Sequence, residues 1–361
     1  MPRRLHILYT IPNFNTAGSG KVVYDLANQL DPKRFKVSVV CNHGRGLFFK
    51  EIKALGLPIH IIPFTVPLRP YYTVFKRVQP FKYFLKAQSV DLVHSWHYSS
   101  DWSEALACQR ARIPFVYTKK AMSWGTIHWK IRSYLSAFVI TVNTQMKAFF
   151  PNKKQQELIP FGLDTTYYNK EIAKVAKTNA TFKLITVANL VAVKNIELLL
   201  QAMHLLKHLP VQLDIVGDRQ NDYVQTLKQL VIDLDLDTRV SFLGKHLDVR
   251  PLLAEADLYI IPSKQEGMPM ALVEAMAMQL PVLGSNIPGI AYVLQDFPEL
   301  LFSLFDANAL ATKIEMIYAM SGDEQQKLGA KLRRYCVKHF SIETFIKRHE
   351  DLYLNLVKQE R

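Results

Sequence analysis

Residues 257–294 read DLYIIPSKQEGMPMALVEAMAMQLPVLGSNIPGIAYVL. The order of residue types is that of a buried strand (258–261), a polar loop (264–269), a helix starting near Met270 and a second strand (281–284). In open α/β sheets ligands bind beyond the carboxyl ends of the strands. The free N–H groups and positive dipole end of a helix there suit a phosphate. Gly267 lets backbone approach a ligand closely, and Pro269 fits just before the helix. Glu266 precedes the helix and Glu274 lies inside it, with seven residues between them. Both could face one cleft and accept hydrogen bonds from sugar hydroxyls. The spacing alone equally describes a loop acid and a surface acid on an amphipathic helix.

The same rhythm extends in both directions. Short β-branched runs at 5–10, 36–41, 59–63, 90–94, 115–118 and 138–142 alternate with helical patterns such as 21–30. It restarts at 182–188 and continues at 211–216, 239–243, 258–261 and 281–284, with helices at 196–207 and 223–234 between. Alternating β and α predicts parallel sheets covered on both faces. Two such series predict an α/β chain of two Rossmann-like, doubly wound domains, 1–163 and 164–340. The seam falls at Ile159-Pro160-Phe161-Gly162-Leu163-Asp164, where Pro and Gly interrupt the pattern. A last helix, 341–361, has no strand after it.

Composition narrows the class. Hydrophobic residues at 49 % and charged residues at 21 % exclude a disordered chain. Cys41, Cys108 and Cys336 are odd in number and form no CxxC pair, which argues against a disulfide framework or a thiolate zinc site. No apolar run approaches the ~18–20 residues of a membrane-spanning helix. The first eight residues lack a signal-peptide core, so a cytoplasmic protein is expected. Asp233, Asp235 and Asp237 have DxD spacing but sit at a helix end where solvated acids are ordinary, and no metal site is expected.

The net charge of +14 is asymmetric: residues 1–165 hold 23 Lys and Arg against 8 Asp and Glu, and residues 166–361 hold 22 against 23. The excess in the first half calls for a partner of opposite sign. Its densest stretch, RPYYTVFKRVQPFKYFLK at 69–86, interleaves basic and aromatic residues. That pattern suits an anionic membrane surface. It equally suits a helix with aromatics inward and lysines in solvent. No nucleic-acid-binding motif accompanies the charge, and no nucleic-acid partner is expected.

The 262–289 segment resembles the donor-site signature of retaining glycosyltransferase family 4, approximately PS-x-x-E-G-x-P-x-x-x-x-E-A-M-A-x-G-x-P-V and a Gly-containing loop. The matching residues are Pro262, Ser263, Glu266, Gly267, Pro269, Glu274, Ala275, Met276, Ala277, Pro281, Val282 and Gly289. Thr16-Ala17-Gly18-Ser19-Gly20-Lys21 sits where the family has a Gly-rich turn. Residues 159–164 look like its "PNGVD" element, and 187–194 like its "VGRL…K" element. Asp91-Leu92-Val93-His94-Ser95-Trp96-His97 resembles its "D-V-V-H-x-H" strand end. The resemblance implies a GT-B fold, two Rossmann-like domains facing a central cleft, with the last helix crossing back onto the first domain.

It also implies roles. Glu274 would bind the ribose hydroxyls of a nucleotide-diphosphate sugar, and Glu266 would lie beside the donor sugar. Backbone amides from Gly267 to Met270 would hold sugar and phosphate oxygens, with Met268 and Pro269 in the same donor-binding loop (Pro269 itself has no N–H to donate). Lys194 would neutralise the diphosphate, with Gly18, Asn189 and Gly244 lining the donor site. His97, preferred over the strand-closing His94, would bond the sugar or polarise the reaction centre. Catalytic work would fall to Glu266, His97 and Lys194, without a metal or other cofactor. The acceptor would be a lipid-linked or anionic saccharide docked on the basic first domain, at the cytoplasmic face of a membrane.

Departures from the family pattern sharpen the expectation. The Arg usual beside the diphosphate is replaced at Asn189 and Val191, so its work would pass to Lys194 or Lys264. Gln279 replaces a Gly, and Tyr292 a Glu. An epimerase on the same fold, or a family member that binds donor without turnover, are the alternatives.

Overall fold

The computed structural model describes residues 3–15, 17–46, 48–170, 181–218 and 222–359. The chain divides into two compact units, Met1–Gly162 with Ile342–Arg361, and Leu163–Ser341.

The first unit holds seven parallel strands: β1 (Leu5–Thr10), β2 (Phe35–Cys41), β3 (Ile59–Ile61), β4 (Leu92–Ser95), β5 (Phe115–Lys119), β6 (Phe138–Thr141) and β7 (Gln156–Leu158). Their order is β3-β2-β1-β4-β5-β6-β7, so the winding reverses between β1 and β4. The second holds β8 (Phe182–Val187), β9 (Val211–Val216), β10 (Val240–Gly244), β11 (Leu258–Ile261), β12 (Val282–Ser285) and β13 (Leu301–Phe302), in the order β10-β9-β8-β11-β12-β13. Here the reversal lies between β8 and β11. The two reversal points are where an open α/β sheet leaves a crevice for ligands.

Strands β4, β11 and β12 are buried along their whole length, as central parallel strands between helical layers must be. The short edge strands β7 and β13 had no periodic signal. Gln156-Glu157-Leu158 has no apolar run, and β13 is two residues long.

Helix Ala17–Gln29 starts four residues before the expected 21. Gly18, Ser19 and Gly20 therefore lie in its first turn, and Thr16 is outside the described residues. Gly20 serves packing: a Cβ there would stand 3.1 Å from the Phe14 ring and 3.2 Å from that of Phe48.

Helix Ile342–Gln359 belongs to the first unit, and the last two residues of the expected 341–361 helix lie outside the described residues. The helix is fixed by polar contacts as well as burial. Arg34 and Arg348 pair with Glu350 and Glu157 at 3.0 and 2.5 Å. In the wholly buried layer beneath, His94 bonds the Tyr353 hydroxyl at 2.6 Å and the Thr118 hydroxyl at 2.8 Å.

The basic-aromatic stretch forms Tyr71–Thr73, Val74–Arg77 and Gln79–Ala87. Val74, Val78, Phe81 and Leu85 are buried, whereas Tyr72, Phe75 and Tyr83 are 85, 51 and 62 % exposed. Arg77 turns inward onto the carbonyls of Leu68, Arg69 and Pro70. Its aromatics thus split between core and solvent. No helix among the described residues is long and apolar enough to cross a membrane.

Candidate functional site

In the second unit, the loops that follow β8 and β11 leave from either side of the winding reversal. The first makes a 3-10 turn, Ala192–Lys194, and the backbone N–H of Lys264 in the second donates to the Val193 carbonyl at 2.8 Å. Lys194 Nζ then lies 2.6 Å from Glu266 Oε1, and the Ser263 hydroxyl donates to the same oxygen at 2.8 Å. Asn195 holds a left-handed backbone, φ +55°, and its buried side chain donates to the Pro262 carbonyl at 3.1 Å. Ser285 at the end of β12 donates to the Ser263 carbonyl at 2.6 Å.

Gly289 completes this scaffold from the loop beyond β12. A Cβ on it would stand 2.4 Å from the Glu266 carbonyl oxygen and 2.6 Å from that of Gly267, distances real Cβ atoms essentially never show. The 266–267 backbone rests directly on Gly289, which sets the height of the Glu266 carboxylate.

Helix Met270–Ala277 begins after Pro269, whose extended backbone leaves the first N–H groups unpaired within the helix. Met268 and Pro269 are buried, while Gly267 and Met270 are partly exposed. Glu274 is partly buried and accepts a hydrogen bond from the Tyr168 hydroxyl, whose ionisation is pushed up by burial and by that carboxylate. Beneath lies Tyr259 of β11, wholly buried, its hydroxyl without a partner among the described residues. Burial first, then Glu266 and Glu274, raise its ionisation. Neither acid is a surface carboxylate free of partners: Glu266 is held by Lys194 and Ser263, and Glu274 by the Tyr168 hydroxyl.

Asn189 is exposed just beyond β8, and Gly244 ends β10 with φ +83° while its carbonyl accepts from the Gly217 N–H at 3.0 Å. Both stand on the carboxyl edge of the sheet. Lys264 is exposed in the loop after β11. Among the described residues no group of three His, Cys, Asp or Glu side chains could hold a metal ion.

In the first unit the loop after β4 carries His97. Its Nδ1 lies 2.9 Å from the Ser99 hydroxyl, and Phe64 presents its edge at 5.7 Å between ring centroids. Burial, with Arg132 and Lys120 nearby, pushes His97 down to about 3, so it is neutral at physiological pH. His94 is buried within the strand and bonded at both ring nitrogens. Gly18 is exposed in the first turn of helix Ala17–Gln29, with no positive φ.

An ion pair with no solvent exposure underlies the His97 loop. Arg132 Nη2 is 3.4 Å from Glu104 Oε2 and 2.9 Å from the Ser95 hydroxyl, which itself donates to Glu104 Oε2 at 2.7 Å. Arg132 Nη1 reaches the Asp101 carbonyl, and Thr10 donates to Glu104 Oε1. Sequence reasoning missed Arg132 and Glu104, because nothing local marks two distant charges as a buried pair. It also missed Tyr168 and Tyr259, since nothing local marks where either hydroxyl ends up.

Two sequence models cover most of the chain. That of Glycosyltransferase Family 4 matches residues 16–166, and that of Glycosyl transferases group 1 matches residues 181–320. The chain belongs to glycosyltransferase family 4. Among curated family relatives, the N-acetyl-alpha-D-glucosaminyl L-malate synthase of Bacillus anthracis is 26 % identical over 227 residues, 61 % of this chain and 58 % of that protein's length. The capsular polysaccharide biosynthesis glycosyltransferase CapH of Staphylococcus aureus is 25 % identical over 322 residues, 83 % of this chain and 86 % of CapH. Anabaena HepE, solved in complex with UDP and glucose, has the same fold: TM-score 0.79 at 20 % identity, over 97 % of this chain and 99 % of HepE. The GT-B fold expected from the signature is the fold of this family member.

Proposed function

We propose that the protein is a retaining glycosyltransferase that moves a sugar from a nucleotide-diphosphate sugar to a hydroxyl of a lipid-linked or otherwise anionic saccharide in surface-polysaccharide assembly. The observation that carries the reading is the Lys194–Glu266 pair, 2.6 Å apart on loops at the winding reversal of the second unit's sheet, with Glu274 on the helix that follows. CapH, named for capsular polysaccharide biosynthesis, and HepE, solved with UDP and glucose, support the acceptor and donor classes.

The residues take these roles. Glu274, aligned by Tyr168, accepts hydrogen bonds from the ribose. Glu266 faces the donor sugar. The backbone N–H groups of Gly267, Met268 and Met270, at the helix N-terminus after Pro269, hold sugar and phosphate oxygens. Lys194 neutralises charge as the anomeric carbon–oxygen bond to the diphosphate breaks. The gain is electrostatic stabilisation of the leaving group, with no strong protein nucleophile required. Asn189, Gly244 and Gly18 leave space for the donor, and neutral His97 hydrogen-bonds sugar. No metal ion is needed in this scheme. The basic first unit, with Tyr72, Phe75 and Tyr83 in solvent, lies against an anionic membrane surface at its cytoplasmic side.

The test is transfer from UDP-glucose and related donors to a panel of saccharide and lipid-linked acceptors, with the product's anomeric configuration read by NMR. Retained configuration, unchanged by EDTA and absent in Glu274→Ala, is expected. An inverted product overturns the retaining assignment. Donor conversion without acceptor would point to epimerisation.

A further inference from the structure

Arg132 and Glu104 carry charge into the core of the first unit and take no part in the roles above. Neither side chain has any solvent exposure. Apolar residues of similar volume often replace such a pair without loss of stability, so stability alone is a weak reason for it. The distinctive contacts of this pair are with one loop.

That loop, 96–102, leaves the end of β4, carries His97 and runs into helix Ser103–Ala111. One guanidinium grips both ends of it. Arg132 Nη2 donates to the Ser95 hydroxyl at 2.9 Å, and Nη1 donates to the Asp101 carbonyl. The fork is itself fixed. Its central carbon lies 4.9 Å from the Tyr117 ring centroid and 5.3 Å from that of Phe115, both on β5, and Nη2 meets Glu104 Oε2 at 3.4 Å. Glu104 in turn accepts from the Thr10 hydroxyl of β1 and the Ser95 hydroxyl of β4.

From the two anchors, two hydrogen-bonded paths lead to His97. In the first, the His97 N–H donates to the Ser95 oxygen at 3.3 Å. In the second, the Asp101 N–H donates to the Ser99 oxygen at 3.1 Å, and that hydroxyl lies 2.9 Å from His97 Nδ1. A hydroxyl that accepts from Asp101 still has its own proton to give. Given to Nδ1, it leaves the single proton of the neutral imidazole on Nε2. Lysine at 132 would keep the charge but could not span both anchors, since an ammonium has no planar fork.

We propose that Arg132, held by Glu104, is a positioning residue: it fixes both ends of loop 96–102 and so sets the place and the Nε2–H tautomer of His97. The clamp stands on the first unit alone; its effect on sugar transfer rests on the transferase reading.

Nitrogen-15 NMR of the imidazole, assigned with His97→Gln, and hydrogen exchange at the His97 N–H read the loop without any reaction. A protonated Nε2 and a protected N–H are expected in wild type. Arg132→Lys, and the uncharged pair Arg132→Met with Glu104→Gln, should speed exchange at His97 about tenfold while β1 amides stay protected. Arg132→Lys should lower kcat for transfer about ten- to a hundredfold through misplacement of a reacting contact, with UDP affinity unchanged. A merely structural pair would instead lower stability, and activity would fall only with the folded fraction. Ser99→Ala, at a partly exposed loop position, cuts the second path alone and is readable whether or not the Arg132 variants fold. It should mix the two tautomers and lower kcat a few-fold. A wild-type ring protonated on Nδ1, unchanged His97 exchange in a folded Arg132 variant, or unchanged ring nitrogens in Ser99→Ala overturns the proposal. Wild-type kcat in folded Arg132→Lys overturns it and keeps the transferase reading. A chain that transfers no sugar yet loses His97 protection in these variants refutes the transferase reading and keeps the clamp.

Discussion

Lys194 and Glu266 meet at 2.6 Å across the winding reversal of the six-stranded sheet. They are 72 residues apart in sequence, and each sits on a loop held by other bonds: Lys264 N–H to Val193, Asn195 to Pro262, and Ser263 to Glu266 itself. Both bonds to Glu266 land on Oε1.

That pairing predicts coupled variants. Lys194→Ala should lower kcat by roughly a hundredfold, the size of losing one preorganised electrostatic contact. Glu266→Gln should also lower kcat, and the double variant should lose less than the product of the two. In stability the coupling should be about 1 kcal/mol, since the pair is neither fully exposed nor fully buried. A double-mutant cycle in urea and in turnover measures both; additive losses would separate the two residues.

Glu274 and Tyr168 should govern nucleotide affinity. Removing a charged acceptor costs about 1.5–3 kcal/mol, so Glu274→Ala should weaken UDP binding roughly ten- to a hundredfold. Tyr168→Phe removes only the aligning hydroxyl. It should weaken binding a few-fold while leaving the melting temperature within about a degree or two. Calorimetric titration with UDP reads both.

Gly289→Ala forces a methyl into the 266–267 backbone. Overpacking of this kind costs about 1–3 kcal/mol, and here it also lifts Glu266 from Lys194. Turnover should therefore fall more than stability alone explains. A variant with wild-type kcat at a temperature where it is folded would contradict the role given to this contact.

Stability should drop in mild acid. His349 is wholly buried and held down to about 4, and His94 well below the usual imidazole value, both by desolvation first. The unfolded chain binds these protons near pH 6.5 while the folded chain resists them, so stability is fully present above about 6.5 and falls as pH is lowered toward 4. For His349 alone the loss over that window is about 3 kcal/mol. Urea unfolding at pH 7, 6 and 5 should show the slope, and His349→Gln should flatten it.

The solvent-facing aromatics of 71–87 should mediate vesicle binding. Sedimentation with vesicles containing an anionic lipid should pull down wild type in low salt and less in high salt. Tyr72→Ser with Phe75→Ser should reduce it several-fold, without affecting stability, since both side chains are exposed.

The architecture was legible in the sequence because its signals are local. Buried parallel strands such as 258–261 need continuous apolar runs, and the loop and helix that follow need their Gly, Pro and acid at fixed offsets. The start of helix Ala17–Gln29 was misplaced because Gly18 and Gly20 read as turn formers, whereas Gly20 is small to admit two phenylalanine rings. Strands β7 and β13 were illegible because pairing at a sheet edge asks little of the side chains.

The sequence by itself determined that the chain makes two doubly wound parallel sheets, that Lys194 and Glu266 lie in loops after strands and that Glu274 lies in the helix after the second loop, since hydrophobic period and turn chemistry are properties of short segments. Only the tertiary structure decided which groups meet: Lys194 with Glu266, Arg132 with Glu104, and the Tyr168 hydroxyl with Glu274. Those encounters join residues tens of positions apart, and their energies depend on burial and distance, which exist only once the sheets have wound.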